Sequence, residues 1–186
     1  MNFIEEINKY KPINDQEIED KDVILDYINS FPTSVLLRDN KIAHMTSSGV
    51  IINREHSKML MIHHNIYNTW TWTGGHCDGE EDLLKLALRE ANEETGIKSC
   101  KPLGGIGSID VLVVQSHIKR GKYVNAHLHL NVAYVFEADE DEALILNEDE
   151  TSGLKWVPLE EVKDHSGEEE IIYVYNKLFK SVGIEL

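Results

Sequence analysis

The chain has 186 residues, and its 33 Asp and Glu against 18 Lys and Arg give a formal net charge of -15. Hydrophobic residues make up 41% and charged residues 27%, proportions that fit a folded domain rather than a disordered chain. The acidity argues against a general binder of DNA, RNA or anionic membrane, because such proteins need basic surfaces.

Cysteine content and apolar runs favour a protein of the cytoplasm. Cys77 and Cys100 are too few for a framework of several disulfides, and no CxxC pair suggests a zinc site. Two free thiols fit a reducing compartment. Residues 1–10 hold two acids and no apolar run, unlike a secretory signal. The longest apolar runs, such as 132–136, are too short to cross a membrane.

Residues 1–40 are predicted to form a helical extension ahead of a main domain over 41–186. Asn14 followed by Glu17 indicates a capping box that opens a helix. Four apolar side chains then fall on one helical face: Ile24, Tyr27, Ile28 and Phe31. Pro32 ends the helix. We interpret the extension as packed on the main domain; a dimerisation arm or a substrate lid are the alternatives.

The main domain is predicted to be α/β, a mixed sheet with helices on its faces. Predicted strands cover 45–53, 58–63, a short segment around Trp70 and Trp72, 112–115, 126–136 and 154–158. Alternate residues in 126–136 share one apolar face. A central helix over 81–95 should end with Gly96 in a left-handed C-cap. A second helix, over 168–180, closes the chain.

The central helix carries an acidic cluster that its own stability does not explain. Glu90, Glu93 and Glu94 lie on one helical face, where like charges repel. A divalent cation would remove this conflict, and oxygen ligands favour Mg²⁺ or Mn²⁺. The planar guanidinium of Arg89 can orient these carboxylates. Glu81 lies near the helix start, where a carboxylate favours the dipole.

The residues around this cluster suit packing and a sharp turn. Gly74 and Gly75 let the backbone bend before the helix, so that a main-chain carbonyl could also reach the metal. The opposite helical face carries small or apolar residues suited to a sheet: Leu84, Ala87, Leu88 and Ala91.

Residues 75–97 resemble the Nudix box of the Nudix hydrolases. Its fixed positions are all filled at the right spacing, by Gly75, Glu81, Arg89, Glu90, Glu93, Glu94 and Gly96. Ile97 fits the aliphatic position, while Ala91 is smaller than the usual branched residue. The order of predicted elements from about residue 43 to residue 180 is also similar to the family. Residues 1–40 have no assigned counterpart.

The resemblance implies an α/β/α sandwich around a mixed sheet. It also implies a Mg²⁺-dependent enzyme, with Mn²⁺ as the alternative ion. Such an enzyme hydrolyses the diphosphate linkage of a nucleoside diphosphate joined to another moiety, by attack of water on phosphorus. The expected partner is therefore a small nucleotide or diphosphate, and neither nucleic acid nor membrane. A homodimer built partly from the extension is a further expectation.

The resemblance also assigns roles by position. Glu93 and Glu94 would be metal ligands, and Glu90 would be a ligand or the base that activates water. A carbonyl of Gly74 or Gly75 would complete the metal shell. Arg89 and Glu81 would orient the glutamates. Family members often supply one more glutamate from a later loop, where Glu148 and Glu150 are the candidates; a solvated loop is the equal alternative.

Two groups of histidine and cysteine residues carry weaker signals. His127 and His129 share the polar face of a strand, where cross-strand packing is favoured over contact with phosphate or base. His76 and Cys77 occupy freely varying positions of the box. We expect no zinc role for them without further ligands.

Aromatic and basic clusters also leave two interpretations open. Tyr67, Trp70 and Trp72 are expected in the core or a wall, with stacking on a nucleobase as the alternative. The basic cluster is Lys119, Arg120 and Lys122. It predicts either a hairpin that reaches toward an anionic substrate or a solvated turn.

The sequence does not choose a substrate. Residues 113–115 are Val-Val-Gln, so the Pro typical of ADP-ribose hydrolases and the Tyr typical of dinucleoside polyphosphate hydrolases are not found there. The signature of coenzyme A pyrophosphatases is also missing. Two other classes are alternatives. A Nudix-fold isopentenyl diphosphate isomerase usually has a degraded box, and a non-catalytic nucleotide sensor tends to lose the glutamates.

Overall fold

The computed structural model describes residues 2–65, 68–119, 121–167 and 169–185. The α-helices are α1 (Phe3–Lys9), α2 (Asp15–Ser30), α3 (Leu83–Thr95), α4 (Val162–His165) and α5 (Glu169–Ser181), and a 3-10 turn covers Leu159–Glu161. The first strands are β1 (Ala43–Asn53), β2 (Lys58–His64), β3 (Thr69–Thr71), β4 (Thr73–His76) and β5 (Lys101–Pro102). The later strands are β6 (Ser108–Val114), β7 (His117–Lys119), β8 (Lys122–Val124), β9 (His127–Ala138) and β10 (Thr151–Pro158).

A mixed eight-stranded sheet forms the centre of the fold, as predicted. Its main path runs β10-β2-β1-β9-β5, and β3, β4 and β6 pair with β2, β1 and β9 respectively. Only the long pair β1 and β9 is parallel among these pairings, with His44 opposite His129. Strand β4 lies antiparallel to β1, with Thr46 opposite His76. The ends of β1, β4 and β9 therefore meet at one place.

Helices cover both faces of this sheet, because its long strands are apolar on both faces. Ile51 of β1 faces a core shared with α1, α2 and α3. Its neighbours Val50 and Ile52 face a second core shared with α4 and α5. The predicted sandwich of helix, sheet and helix is thus confirmed. In the described part of the chain, no helix is long and apolar enough to cross a membrane.

The N-terminal helices pack on the main domain, as the favoured interpretation expects. Phe3, Ile7, Ile24 and Ile28 are buried in the same core as the sheet residues. Phe31 differs from the prediction, since it is the C-cap of α2 and 41% exposed. The helix ends at Ser30, so Phe31 leaves the buried face. The division of the chain at residue 40 stays a prediction.

The start of α2 follows half of the predicted capping box. Asn14 is the N-cap, and its side chain accepts a hydrogen bond from the Glu17 amide at 2.9 Å. The Glu17 carboxylate does not bond back to Asn14. It accepts from the Ile13 amide at 3.0 Å and from the Tyr10 hydroxyl at 2.7 Å. Glu17 is fully buried, so its carboxylate forms contacts inside the protein rather than capping the helix end.

A buried charge network joins this helix to the far side of the domain. Lys177 of α5 has its Nζ 3.1 Å from Glu17 Oε1 and also bonds the Asp110 carboxylate of β6. Asp110 accepts a second bond from the Ser108 hydroxyl. Strand β6 begins at Ser108, earlier than predicted, because these polar residues face the network and hide the strand pattern.

The buried face of α3 differs slightly from the predicted one. The helix begins at Leu83 after the N-cap Asp82, and it ends at Gly96 with a φ of 77°, as expected for a left-handed cap. Leu83 and Leu86 are fully buried beside Ala87 and Ala91, whereas the predicted Leu84 and Leu88 are only partly buried. Glu94 lies on this buried face.

Candidate metal and active site

Glu94 is a buried carboxylate held by the backbone of β4. Its side chain accepts a hydrogen bond from the Gly74 amide at 3.0 Å, and the residue is only 3% exposed. Burial raises the pKa of Glu94 to about 8, although the Gly74 bond acts in the opposite direction. A carboxylate in this position is costly unless a cation or a proton accompanies it.

Glu90 lies one helical turn before Glu94 and against the next residue of β4. A Cβ added to Gly75 would lie 2.6 Å from the Glu90 carboxyl carbon, so only glycine leaves room for this carboxylate. Burial raises the pKa of Glu90, and the neighbouring Arg89 partly opposes this. Glycines at 74 and 75 thus bring backbone and carboxylates into direct contact.

Arg89 connects two of the glutamates. Its Nη2 donates to Glu90 Oε1 at 3.1 Å, and its Nε lies 3.7 Å from Glu93 Oε1. Glu93 is exposed, so the cluster runs from the buried Glu94 out to the surface. Glu81 precedes the N-cap of α3 and is exposed. Among the described residues no hydrogen bond or ion pair joins it to the glutamates, and its orienting role stays a prediction.

The later acidic loop brings one of its two candidates to the cluster. Glu150 is among the charges that raise the pKa values of both Glu90 and Glu94. Glu148 is not among those charges, although both residues are exposed just before β10. The backbone explains the placement, because the Asn65 amide donates to the Glu150 carbonyl at 3.0 Å.

Three of these residues line one large cavity. It has a volume of about 680 Å³, and Glu94, Gly74 and Gly75 line it together with Trp72. His76 and His129 line the same cavity. A buried carboxylate in the wall of such a cavity, with further carboxylates beside it, is suited to binding a metal ion together with an anionic substrate.

The family follows from a comparison with known proteins. Residues 43–178 match the NUDIX domain. The chain belongs to this family. The match includes the box glutamates, both glycines and all strands of the main sheet, whereas α1 and α2 lie before it.

Similar proteins agree with this assignment. A probable DHNTP pyrophosphohydrolase of Lactococcus lactis subsp. cremoris (strain MG1363) is 29% identical over 97 residues, covering 52% of this chain and 56% of the relative. Nudix hydrolase 3 of Arabidopsis thaliana is 24% identical over 163 residues, covering 81% of this chain and 21% of the relative. The chain therefore spans 56% and 21% of the lengths of these curated relatives.

A solved structure supports the fold. The crystal structure of a NUDIX family hydrolase from Clostridium perfringens has a TM-score of 0.56 and 21% identity, covering 74% of this chain and 96% of that chain. At this level of identity the likeness concerns the NUDIX fold alone.

The aromatic candidates have different places in this NUDIX domain. Trp72 is buried, packs edge-on against Tyr175 at 5.6 Å between ring centroids, and lines the cavity. Trp70 lies under the Lys155 ammonium at 4.0 Å, outside the residues that line the cavity. Tyr67 lies outside the described residues. Trp72 therefore remains as the aromatic wall residue.

Two of the three basic candidates, Lys119 and Lys122, lie on paired strands. Strands β7 and β8 pair, and Gly121 makes the turn with a φ of 77°. Lys122 is exposed and is not among the residues that line the cavity. Arg120 and the side chain of Lys119 lie outside the described residues.

The structure places residues beside His76 that could act as further ligands, so the condition attached to the expectation of no zinc role is not met for His76. His44, His127 and His129 gather around it, with ligand atoms within 4.8 Å of one another. Sequence reasoning missed His44 entirely. His44 lies near the start of β1, and this strand pairs with β4, which carries His76, and with β9, which carries His127 and His129. Knowledge of this pairing is the signal that could have identified His44.

Replacing Gly75 by Ala tests the contact between the NUDIX box backbone and Glu90. The new Cβ would displace a flexible carboxylate rather than backbone, so we expect a folded protein with about 100-fold lower kcat. Gly105→Ala is the matched control, because a Cβ there meets nothing within 4 Å. Equal kcat in both variants would contradict the proposed position of Glu90.

Proposed function

We propose that this chain is a Mg²⁺-dependent pyrophosphohydrolase. Its substrate is a nucleoside diphosphate linked to another moiety, and water attacks phosphorus to cleave the diphosphate linkage. Membership of the NUDIX family and the name of the Lactococcus relative support hydrolysis of a pyrophosphate bond. A cytoplasmic location and a homodimer stay predictions beside this proposal.

The observation that carries the proposal is the buried Glu94 carboxylate in the cavity wall, with the partly buried Glu90 carboxylate one helical turn away. Glu90 and Glu94 both have raised pKa values, and Glu93 and Glu150 add further negative charge beside them. Such a cluster is unfavourable alone and favourable around a divalent cation. The donors are carboxylates next to backbone amides and carbonyls, with no sulfur. They fit a hard ion such as Mg²⁺ or Mn²⁺.

Each residue of the cluster has a proposed role. Glu93 and Glu94 are ligands, with a carbonyl of Gly74 or Gly75 as a further ligand. When bound, the ion neutralises phosphate charge and lowers the pKa of bound water. Glu90 is a ligand or the base, and Arg89 fixes its orientation through the 3.1 Å hydrogen bond.

The cavity sets the size of the substrate. Its volume of about 680 Å³ lies within the range of clefts that hold small organic ligands. Trp72 offers an aromatic wall, and Glu94 belongs to the same lining. A nucleotide derivative can therefore place its diphosphate at the glutamates while the rest of the molecule fills the cavity.

A substrate panel tests this proposal. Six compounds are each incubated with the protein and Mg²⁺, and the products are separated by chromatography: ADP-ribose, a nucleotide sugar, a dinucleoside polyphosphate, a nucleoside triphosphate, coenzyme A and isopentenyl diphosphate. We expect Mg²⁺-dependent cleavage of at least one nucleotide. Tight nucleotide binding without turnover would indicate a sensor, and conversion of isopentenyl diphosphate without phosphate release would indicate an isomerase. Either result would overturn the proposal.

The contribution of the later loop is tested by a pair of variants. Glu150 lies close enough to raise the pKa values of Glu90 and Glu94. If it acts as base or extra ligand, Glu150→Gln should lower kcat by about 100-fold. Glu148→Gln makes the same change two residues away and should leave kcat near the wild-type value. The reverse order of effects would transfer the role to Glu148.

A further inference from the structure

Four histidines form a cluster beside the glutamate site. His44 is on β1, His76 on β4, and His127 and His129 on β9. One ring nitrogen from each can be chosen so that all four lie within 4.8 Å of one another. The sheet itself builds the cluster, because β1 lies between the other two strands and places His44 opposite His129.

Two of the rings are held in a defined orientation by backbone carbonyls. His44 Nδ1 lies 3.0 Å from the Asn40 carbonyl oxygen, and His127 Nδ1 lies 2.8 Å from the Asn125 carbonyl oxygen. A carbonyl only accepts, so each Nδ1 carries the proton. In the neutral ring, Nε2 then presents a lone pair. A metal-binding histidine typically binds the ion with one ring nitrogen and donates the N–H of the other to a carbonyl or carboxylate in this manner.

The buried ring nitrogen of His44 lacks a partner among the described residues. His44 is 3% exposed, and its Nε2 is buried with no hydrogen-bond partner in the described part of the chain. Burying an acceptor without a partner destabilises the protein. His127 Nε2 lies 3.2 Å from His129 Nε2, so these two atoms share a proton, and a metal ion bound by both rings would take the place of that proton.

Two rings of the cluster favour the neutral form. Burial and the neighbouring imidazoles lower the pKa of His129 to about 2, and burial lowers the pKa of His44. Neutral imidazole is the form that binds metal. Charged rings packed together would instead repel an ion.

We propose that the four-histidine cluster binds one divalent ion of the Zn²⁺ class, at a site separate from the glutamates of α3. Imidazole nitrogens suit Zn²⁺, Ni²⁺, Cu²⁺ or Fe²⁺ and disfavour Mg²⁺. Tetrahedral Zn–N bonds of about 2.0–2.1 Å place ligand nitrogens about 3.4 Å apart. The ring nitrogens reach this spacing by side-chain movements of about 1 Å, without moving the strands.

The position of this site links it to the cavity. His76 directly follows Gly75, whose backbone contacts Glu90, and both His76 and His129 line the cavity that Glu94 also lines. The structure thus brings a set of imidazole nitrogens, which we call the nitrogen site, and the carboxylate oxygens of α3, which we call the oxygen site, to one cavity. The two sites select different ions because their donor atoms differ.

Metal binding by the full chain tests the proposal without any substrate. Chelator-treated protein is titrated with Co²⁺ and Zn²⁺ in excess Mg²⁺, and bound metal is measured by mass spectrometry and by the visible absorption of tetrahedral Co²⁺. The same titration is made with Glu90→Gln/Glu93→Gln/Glu94→Gln, which removes the oxygen site. We expect one equivalent of Co²⁺ or Zn²⁺ in both proteins, so failure of the hydrolase proposal would not affect this result.

Histidine variants decide whether the cluster is the site. His127→Gln/His129→Gln should weaken Zn²⁺ binding by at least about 100-fold, because second-shell losses alone cost about 10–100-fold. His127→Gln alone tests the same point if the double variant does not fold. His56→Asn is the control, since His56 lies in the turn after β1 and away from the cluster. Wild-type protein that binds no Zn²⁺, or unchanged affinity in folded histidine variants, would overturn the proposal.

Discussion

Glu94→Gln is expected to lower kcat by about 10²- to 10³-fold while leaving the fold intact. The change removes the buried negative charge in the cavity wall but keeps an oxygen that can accept the 3.0 Å bond from the Gly74 amide. Steady-state kinetics on the substrate found in the panel measure the loss. Isothermal titration with Mg²⁺ should show weaker binding by the same variant.

The fold should survive this change because the charge itself is unfavourable there. Burial raises the pKa of Glu94, so the ionised side chain destabilises the protein without its cation. A neutral amide of the same shape removes that cost. Thermal melting of metal-free protein should therefore give a Tm at least as high for Glu94→Gln as for the wild type.

A change of charge elsewhere on the same segment is the control. Glu80 precedes α3 and pairs with Lys85 at 2.9 Å, outside the cavity. Glu80→Gln removes the same charge and should leave kcat and Mg²⁺ affinity near wild type. Wild-type kcat in Glu94→Gln would refute its role as a ligand.

The parts of the fold that the sequence predicts are those specified by local patterns. The central helix and its Gly96 cap follow from neighbouring residues, and the structure confirms both, apart from the first turn. The alternation over 126–136 predicts strand β9, because side chains of a strand alternate between two faces. The glutamate cluster is likewise local, since its residues share one helix.

The parts that the sequence does not predict depend on pairing between distant segments. His44 carries no signal until β1 is known to lie parallel to β9. Glu17 and Lys177 have the pattern of polar residues on solvated helix faces, yet both are buried and paired. The type of one residue does not reveal such a buried ion pair, because its partner comes close only in the folded tertiary structure.

Lys177→Met should give the largest loss of stability, about 3–5 kcal/mol in the free energy of unfolding. Lys177 is 4% exposed, and it is the cation that accompanies the buried Glu17 and Asp110 carboxylates. Without it, both carboxylates are buried with no counter-charge on α5. Urea unfolding at neutral pH, followed by circular dichroism, measures the change.

The pH dependence of this loss identifies its electrostatic origin. Burial already raises the pKa of Asp110, and removal of Lys177 would raise it further. A folded state with raised carboxyl pKa values binds more protons than the unfolded chain, so stability falls as pH rises. The difference between Lys177→Met and wild type should therefore shrink at acidic pH and grow toward neutral pH. A loss caused only by packing would stay constant.

Replacing the two buried carboxylates that have lost their counter-charge should restore stability. In the background of Lys177→Met, the changes Glu17→Gln and Asp110→Asn leave neutral groups that still accept from Tyr10 and Ser108. We expect the triple variant to recover much of the loss, because a buried ion pair adds little beyond what a neutral set provides. Lys180→Met, on the exposed side of α5, should change stability by less than about 0.5 kcal/mol. No recovery in the triple variant would show that Lys177 stabilises α5 through its contacts, not its charge.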